Sequence, residues 1–227
     1  MKAFIPAAGL GTRLRPLTNT LPKALVVTAG KTLLEHAICH LKLHGIRELI
    51  INVHHFPGMI AEFLAAHDNF GCSITISDET DALLETGGGL KKAAWFFNDG
   101  DPFIVRNVDI LSDLDMTTML DFHRKAETMV SLAVRERETS RYLLFNETMQ
   151  LSGWENRSTG ERKITRPCER YQSFAFSGIQ ILSPGIFPLI TETGKFSLTE
   201  LYLRLSAVQT ITGFLDRSQV WKDAGKT

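Results

Sequence analysis

An α/β fold is predicted, a three-layer α/β/α sandwich around a mostly parallel, Rossmann-like sheet with a β-hairpin insertion. Three observations predict it. Short β-branched apolar runs alternate with helical patterns through residues 1–134, the signature of parallel strands joined by crossover helices. After Val134 the texture turns charged and polar, with two short strand-like runs around a turn. From residue 174 the strand and helix patterns resume.

Taken in order, residues 3–7 read as the first strand, 33–44 as a helix ended near Gly45, and 49–53 as the second strand. A helix around 59–66 and a strand at 73–77 follow. Glycines open a helix over 87–97; 103–105 is strand, 116–125 helix and 129–134 strand. The insertion covers 135–173, with strand-like runs at 142–145 and 149–154 separated by a turn at 146–148. The chain then resumes with a strand at 174–182, helices at 184–190 and 198–205, and a strand at 208–214. In doubly wound sheets ligands sit beyond the carboxyl ends of the strands, which singles out the loops 8–25, 78–89, 106–113 and 219–226.

Composition narrows the partners. The 227 residues are 44% hydrophobic, enough for a proper core in one domain. Lys plus Arg equals Asp plus Glu at 25 each, so no net field favours a nucleic acid or an anionic membrane. Cys39, Cys72 and Cys168 are odd in number and lack ligand spacing, as in a reducing compartment. With no secretory leader pattern and no apolar run near ~20 residues, a cytoplasmic protein is expected, monomer or homodimer, with no membrane role. The formal glycosylation acceptors at Asn146 and Asn156 are then chance matches.

The loop after the first strand reads AAGLGTRLRPLT, then LPKAL. A dinucleotide fingerprint needs a third glycine where Leu14 stands. A kinase-type phosphate loop ending in Gly30-Lys31-Thr32 needs a glycine where Leu25 stands, and the triplet Gly225-Lys226-Thr227 has Val220 in that place. What remains is a cradle. Ala7, Ala8, Gly9 and Gly11 let backbone N–H groups lie against a base and a triphosphate. Thr12 and Arg13 present a hydroxyl and a guanidinium to phosphate oxygens, Lys23 adds a point charge, and Pro16 and Pro22 stiffen the segment.

PAAGLGTRLRPLTNTLPKAL resembles the signature of the sugar-1-phosphate nucleotidyltransferases, the nucleotide-sugar pyrophosphorylases. The resemblance implies a single nucleotidyltransferase domain: a nucleotide-binding half at 1–134, the insertion at 135–173, and a sugar-phosphate half at 174–227. It also gives the remaining loops roles. Leu84-Glu85-Thr86-Gly87-Gly88-Gly89 would be the base-recognition loop, with Glu85, Thr86, Gly87 and Gly88 at the base, and is similar to that of N-acetylmuramate-1-phosphate uridylyltransferases, which tilts the base toward uracil. Asn107-Val108-Asp109 matches an element whose Asp holds Mg²⁺, with Val108 in the usual glycine place. Trp221-Lys222-Asp223-Ala224-Gly225 is similar to the W-x-D-x-G element that carries the second metal carboxylate, Asp223. Two carboxylates plus substrate phosphates suffice for Mg²⁺.

Ser177-Gly178 is similar to the strand element facing the sugar; a strand glycine also marks a bulge or close packing, and both readings stand. A Glu-Lys-Pro sugar-phosphate motif is not recognisable, Glu161-Arg162-Lys163 being a loose echo. His36, His40 and His44 recur every fourth residue without a second ligand group and read as surface histidines.

The expected reaction is Mg²⁺-dependent nucleotidyl transfer from a nucleoside triphosphate, UTP favoured, to a sugar 1-phosphate, N-acetylmuramate 1-phosphate or a related hexose 1-phosphate. A phosphate monoester with a second pKa near ~6 is already largely ionised at neutral pH, so no general base is needed. Guanylyl transfer to mannose or heptose 1-phosphate is the nearest rival, because base choice rests on one loop. A catalytically silent, nucleotide-sensing subunit would be expected to lose Arg13, Lys23, Asp109 or Asp223, and all four are present. An NAD-dependent oxidoreductase would need the missing glycine and an acid near Asn52-Val53-His54.

Overall fold

The computed structural model describes residues 1–225 and builds them around one ten-stranded mixed sheet. β1 (Lys2–Pro6) leads into a loop held by three short 3-10 turns, Thr12–Leu14, Leu17–Asn19 and Lys23–Leu25. A small hairpin follows, β2 (Val27–Thr28) and β3 (Lys31–Thr32), whose turn residues Ala29 and Gly30 both take positive φ, as a two-residue primed turn requires. The first GKT triplet is therefore a turn and a helix cap: Thr32 Oγ1 accepts the Glu35 N–H at 3.0 Å and opens α1 (Leu33–Leu43). Lys226 and Thr227 of the second triplet lie outside the described residues.

The first half continues through β4 (Glu48–Val53), α2 (Pro57–Ala66), β5 (Ser73–Asp78), α3 (Glu85–Lys92), β6 (Phe103–Arg106), β7 (Ile110–Ser112), α4 (Met116–Lys125) and β8 (Val130–Arg135). The insertion supplies β9 (Arg141–Phe145), β10 (Leu151–Asn156) and β11 (Glu161–Ile164). β12 (Gln172–Leu182), a 3-10 segment Pro184–Leu189, α5 (Leu198–Ser206), β13 (Ile211–Leu215) and β14 (Trp221–Asp223) complete the described chain.

β5, β4, β1 and β6 are mutually parallel in that spatial order. β12 then runs antiparallel to β6 and is the seam of the molecule. Its first residues pair with β9, carrying the sheet out through β10 and β11, while its last residues lie between β6 and β8, which in turn pairs with β13. The β12–β8 register shifts between Phe176 and Gln180, where Gly178 takes φ +82°.

Side-chain alternation builds the two helical layers. Ala3 and Ile5 of β1, Leu49 and Ile51 of β4, and Ile104 of β6 face the layer of α1, α2 and α4. Phe4, Ile50, Phe103 and Val105 face the layer of α3 and α5. Hence the central residues of these strands are apolar, with Asn52 in β4 and Arg106 in β6 as polar exceptions near their carboxyl ends. No helix among the described residues is long and apolar enough to cross a membrane.

Several expectations are corrected. The insertion holds three strands, because β11 is an exposed edge strand of polar residues with no apolar run to betray it. The helix expected at 87–97 starts at Glu85 and ends at Lys92, passing into a 3-10 turn. The segment expected to be helical at 184–190 is 3-10, with Pro188 inside it. Of the three spaced histidines, His40 is not on the surface: it is buried, with Nε2 on Leu114 O at 3.0 Å and Nδ1 accepting from Arg106 Nε at 3.3 Å.

His40 and His123 are both pushed down to about 4, in each case chiefly by burial, with Arg106 adding to the first and Arg124 to the second. Both therefore fold neutral, and acid protonates the unfolded chain first. Their contribution to stability is complete above about pH 6.5 and is lost as pH falls toward 4, on the order of 3 kcal/mol each. His123 bonds Ser131 Oγ at 2.9 Å and Ser183 Oγ at 3.0 Å, at the start of β8 and just past the end of β12. Urea midpoints of His123→Asn should fall less between pH 7 and pH 4.5 than those of the parent; an identical fall would clear His123 of the effect.

Candidate active site

At the carboxyl ends of β1, β4 and β6 the loops enclose a cleft of about 540 Å³. That volume suits a small-molecule site. Ala8, Gly9, Arg13 and Lys23 line it from the loop after β1, Asn52 from β4, Glu85 and Thr86 from α3, and Asn107 and Asp109 from the turn after β6.

The loop after β1 is fixed by close approaches that exclude side chains. Gly11 takes φ +62°, and an ideal Cβ there would stand 2.8 Å from Thr18 Cγ2 and 2.9 Å from Lys23 Cβ. Thr18 Oγ1 donates to Gly11 O at 2.9 Å. Asn52 holds the other end, its Oδ1 accepting the Ala7 N–H at 2.7 Å and its Nδ2 donating to Glu79 Oε1 at 2.7 Å. Glu79 is buried and also accepts the Leu84 N–H at 3.3 Å. Burial pushes its carboxyl up, against the pull of those hydrogen bonds. A Cβ on Gly89 would meet Glu79 Oε1 at 2.5 Å and Asn52 Nδ2 at 2.6 Å, so the glycine run of α3 makes room for this buried network.

Asp109 is the electrostatic centre. Its Oδ2 pairs with Lys23 Nζ at 2.9 Å, both side chains largely shielded from water. Behind it, Arg106 is fully buried and donates to Asn107 O at 3.3 Å and Ile110 O at 2.7 Å, bracketing the turn that carries Asp109. Burial lowers Arg106 to about 10 and the Asp109 carboxylate opposes that, so the guanidinium stays charged at neutral pH.

Asp223 arrives beside Asp109 through a two-stranded ribbon. β14 pairs antiparallel with β7, placing Asp223 opposite Ile110, and the Ala224 N–H donates to Asp109 O at 2.8 Å. The Gly225 N–H donates to Asp223 Oδ1 at 3.1 Å. An ideal Cβ on Gly225 would overlap Asp109 Oδ2 and stand 3.2 Å from Asp223 Oδ1, so both carboxylates border one small space. Arg137 lies over the Trp221 ring at 4.5 Å; burial lowers its guanidinium and the Asp223 carboxylate raises it. The described residues hold no cluster of three or more His, Cys, Asp or Glu that could bind a metal, so any divalent ion here would rest on these two carboxylates plus phosphate oxygens.

The segment that opens α3 is clasped to the start of α5. Leu84 O accepts the Phe196 N–H, and Phe196 O accepts the N–H groups of Gly87 and Gly88. Thr86 Oγ1 accepts the Leu198 N–H at 3.1 Å, and Glu85, at φ +60°, pairs with Lys195 at 3.3 Å. Gly87 and Gly88 thus turn their amides and Cα atoms to residues 194–196, and they do not line the cleft. Ala7, Gly11 and Thr12 are also absent from its lining: Ala7 is buried and Thr12 is exposed. Ser177 is buried and Gly178 abuts Ile110, whose Cγ1 would lie 2.5 Å from a Cβ at 178. The Trp221 Nε1–H donates to Ser177 O at 2.9 Å. The loose echo Glu161-Arg162-Lys163 sits on β11, at the far edge of the sheet.

Sequence reasoning missed Asn52, Glu79, Arg106 and Arg141. The first had a signal, a polar residue near the carboxyl end of the otherwise apolar run LIINV, and Arg106 closes the apolar run FIV in the same way. Glu79 sits among Asp and Thr residues that read as loop. Arg141, which adds a third cation to the cleft from β9, carries no sequence signal.

A cleft at the strand ends lined by Arg13, Lys23, Arg141 and Asp109, with Asp223 beside Asp109, is the setting in which the comparisons with known proteins fall. The model of the family described as Nucleotidyl transferase matches residues 2–227. The chain is 31% identical over 232 residues to the N-acetylmuramate alpha-1-phosphate uridylyltransferase of Caulobacter vibrioides, covering 98% of this chain and 91% of that protein. It is also 31% identical over 229 residues to the mannose-1-phosphate guanyltransferase of Yarrowia lipolytica, covering all of this chain but only 61% of that longer protein. A crystal structure titled as a putative glucose-1-phosphate thymidylyltransferase from Bacillus anthracis superposes with a TM-score of 0.80 at 21% identity, over 100% of this chain and 90% of that one, a likeness of fold. Since the family match runs the length of the fold and takes in both the loop after β1 and the β14 ribbon, the chain belongs to the nucleotidyl transferase family.

Proposed function

We propose that this protein transfers a nucleotidyl group from a nucleoside triphosphate, UTP in preference, to a sugar 1-phosphate, N-acetylmuramate 1-phosphate or a related hexose 1-phosphate. The observation that carries the reading is the convergence of Arg13, Lys23 and Asp109 on one cleft whose other wall is Glu85 and Thr86. The Caulobacter relative, covered over nearly its whole length, favours the uridylyl form. The Yarrowia relative favours a second reading, guanylyl transfer to mannose 1-phosphate.

Each residue has work that its chemistry fits. Ala8 and Gly9 offer a bed without side chains for the nucleotide, and Asn52 holds that bed in register through Ala7. Arg13 steadies the β- and γ-phosphates and the departing pyrophosphate. Lys23 stabilises charge at the α-phosphate as the acceptor phosphate oxygen attacks and the bond to pyrophosphate breaks. Asp109 and Asp223 are the residues that would hold Mg²⁺, which when bound neutralises phosphate charge. Arg106 keeps the Asp109 turn in place from the protein side.

The reading is tested by pyrophosphate release with UTP or GTP against a panel of sugar 1-phosphates in the presence of Mg²⁺. Turnover with UTP is expected to exceed that with GTP; a GTP preference would hand the site to the second reading, and no turnover in folded protein would sink both. Asp109→Ala should abolish release while nucleotide binding, followed by thermal shift, is kept.

Lys23 and a divalent ion compete for Asp109, since the ammonium occupies Oδ2 at 2.9 Å in this state. Lys23→Met should therefore slow turnover and yet bind Mn²⁺ more tightly in the absence of nucleotide, on the order of tenfold for the loss of one charge-assisted bond. Paramagnetic titration of free Mn²⁺ measures this, and weaker binding by the variant would contradict the competition.

A further inference from the structure

Asp223 is delivered to the site by the segment that follows β13, and two arginines at the end of β8 hold that segment at both of its ends. At its start, the Asp216 N–H donates to Val134 O at 2.7 Å, and Arg135, the last residue of β8, reaches Asp216 Oδ2 at 3.6 Å and Ser218 O at 3.3 Å. At its end, Arg137 lies over the Trp221 ring at 4.5 Å and donates from Nη2 to Phe176 O at 3.2 Å. Trp221 in turn donates from Nε1 to Ser177 O at 2.9 Å. Those two successive carbonyls belong to β12 where its register with β8 shifts, beside Gly178 at φ +82°. A bulge disrupts the ladder locally, and here side chains from β8 and β14 take up the carbonyls. Arg137 Nη1 also donates to Glu138 O at 3.3 Å, while its buried Nε has no hydrogen-bond partner.

We propose that Arg137 is a positioning residue for the second carboxylate: stacked on Trp221 and tied to the β12 bulge, it sets where Asp223 stands beside Asp109, without itself touching either substrate. This rests on the transfer reaction proposed above and on the two aspartates as the pair that would hold Mg²⁺. The strand that carries Asp223 needs such a brace. β14 is three residues long and pairs with β7 alone, and a two-stranded ribbon of that length is marginal by itself. Its far end is held to Asp109 by the Ala224 N–H; its near end is Trp221. Residues two apart in a strand share a face, so fixing the Trp221 ring fixes the face that presents Asp223. A guanidinium suits this work. It lies flat on an indole and donates in its own plane at the same time, which an ammonium cannot do. Burial lowers the Arg137 guanidinium and the Asp223 carboxylate opposes that, so the stacked cation is within reach of the carboxylate it positions.

The test titrates Mn²⁺ into the nucleotide-free protein, comparing the parent with Arg137→Lys, Trp221→Leu and the double variant. Arg137→Lys keeps the charge and removes the planar fork, so it isolates geometry from electrostatics. Altering the group behind a metal ligand costs about tenfold or more in metal affinity, so each single variant should bind Mn²⁺ on the order of tenfold more weakly. The double variant should bind no more weakly than the worse single, since the two residues act as one unit. In metal-free protein the amides of residues 219–225 should exchange faster in both single variants, while melting temperatures and the exchange of β1 and β4 match the parent. Turnover of UTP with a sugar 1-phosphate should fall at limiting Mg²⁺ and recover as Mg²⁺ is raised, with the sugar-phosphate KM at saturating Mg²⁺ unmoved, a pattern that a purely structural role would not produce. Parental Mn²⁺ affinity in Arg137→Lys overturns the brace. So does a raised sugar-phosphate KM that Mg²⁺ does not restore, which would put Arg137 Nε on the acceptor phosphate instead. If Trp221→Leu does not fold, Arg137→Lys decides by itself. Should no sugar phosphate react with any nucleotide, the transfer reading fails separately, and the Mn²⁺ titration and amide exchange still settle the brace: weaker binding with faster exchange sustains it, and parental values sink it.

Discussion

Two carboxylates more than a hundred residues apart in the chain share one small space, and most of the site can be understood as what that requires. Asp109 and Asp223 carry like charge, so bringing them together calls for cations nearby. The protein supplies them from three directions. Lys23 contacts Asp109 directly, Arg106 supports the same turn from the core, and Arg137 stands by Asp223 while stacking on Trp221. The ribbon of β7 and β14 adds the backbone contact that stops the pair from separating.

Because Arg106 is fully buried, its charge could not be there for its own sake: an unpaired guanidinium in the core is costly. It is tolerated because Asn107 O, Ile110 O and the nearby Asp109 carboxylate receive it, and His40 accepts its remaining Nε proton. His40 must be neutral to do so, which is why its depressed pKa and the position of Asp109 are two sides of one arrangement. Asn52, Glu79 and Gly89 do for the loop after β1 what Arg106 does for the Asp109 turn. A buried polar chain joins β1, β4, the 79–84 loop and α3, so the loop after β1 cannot shift without unpairing it.

The parts that the sequence made legible are those whose chemistry is local. Gly11, Arg13, Pro22 and Lys23 sit in one loop, and their spacing alone carries the cradle. The parallel core was legible because strands buried on two faces read as unbroken apolar runs. What stayed hidden depends on partners distant in the chain. Glu79 acquires meaning only against Asn52, 27 residues away, and Arg106 only against His40, 66 residues away. Gly87 and Gly88 show the converse: a glycine run that suits a flat base from sequence alone turns, in the fold, toward Phe196 and Gly194. β11 and Arg141 belong to an exposed insertion where neither periodicity nor composition marks a role.

The histidines bear on how the proposed transfer can work. Burial holds His40 and His123 neutral, and neither lines the cleft. Arg13, Lys23 and Arg141 line the cleft with Asp109 and Glu85, and in the proposed transfer these cations face a phosphorus centre whose attacking oxygen is already ionised. Positioning then dominates the barrier of such a transfer, and positioning is what the two buried polar networks supply: one fixes the loop after β1 and the other fixes Asp109.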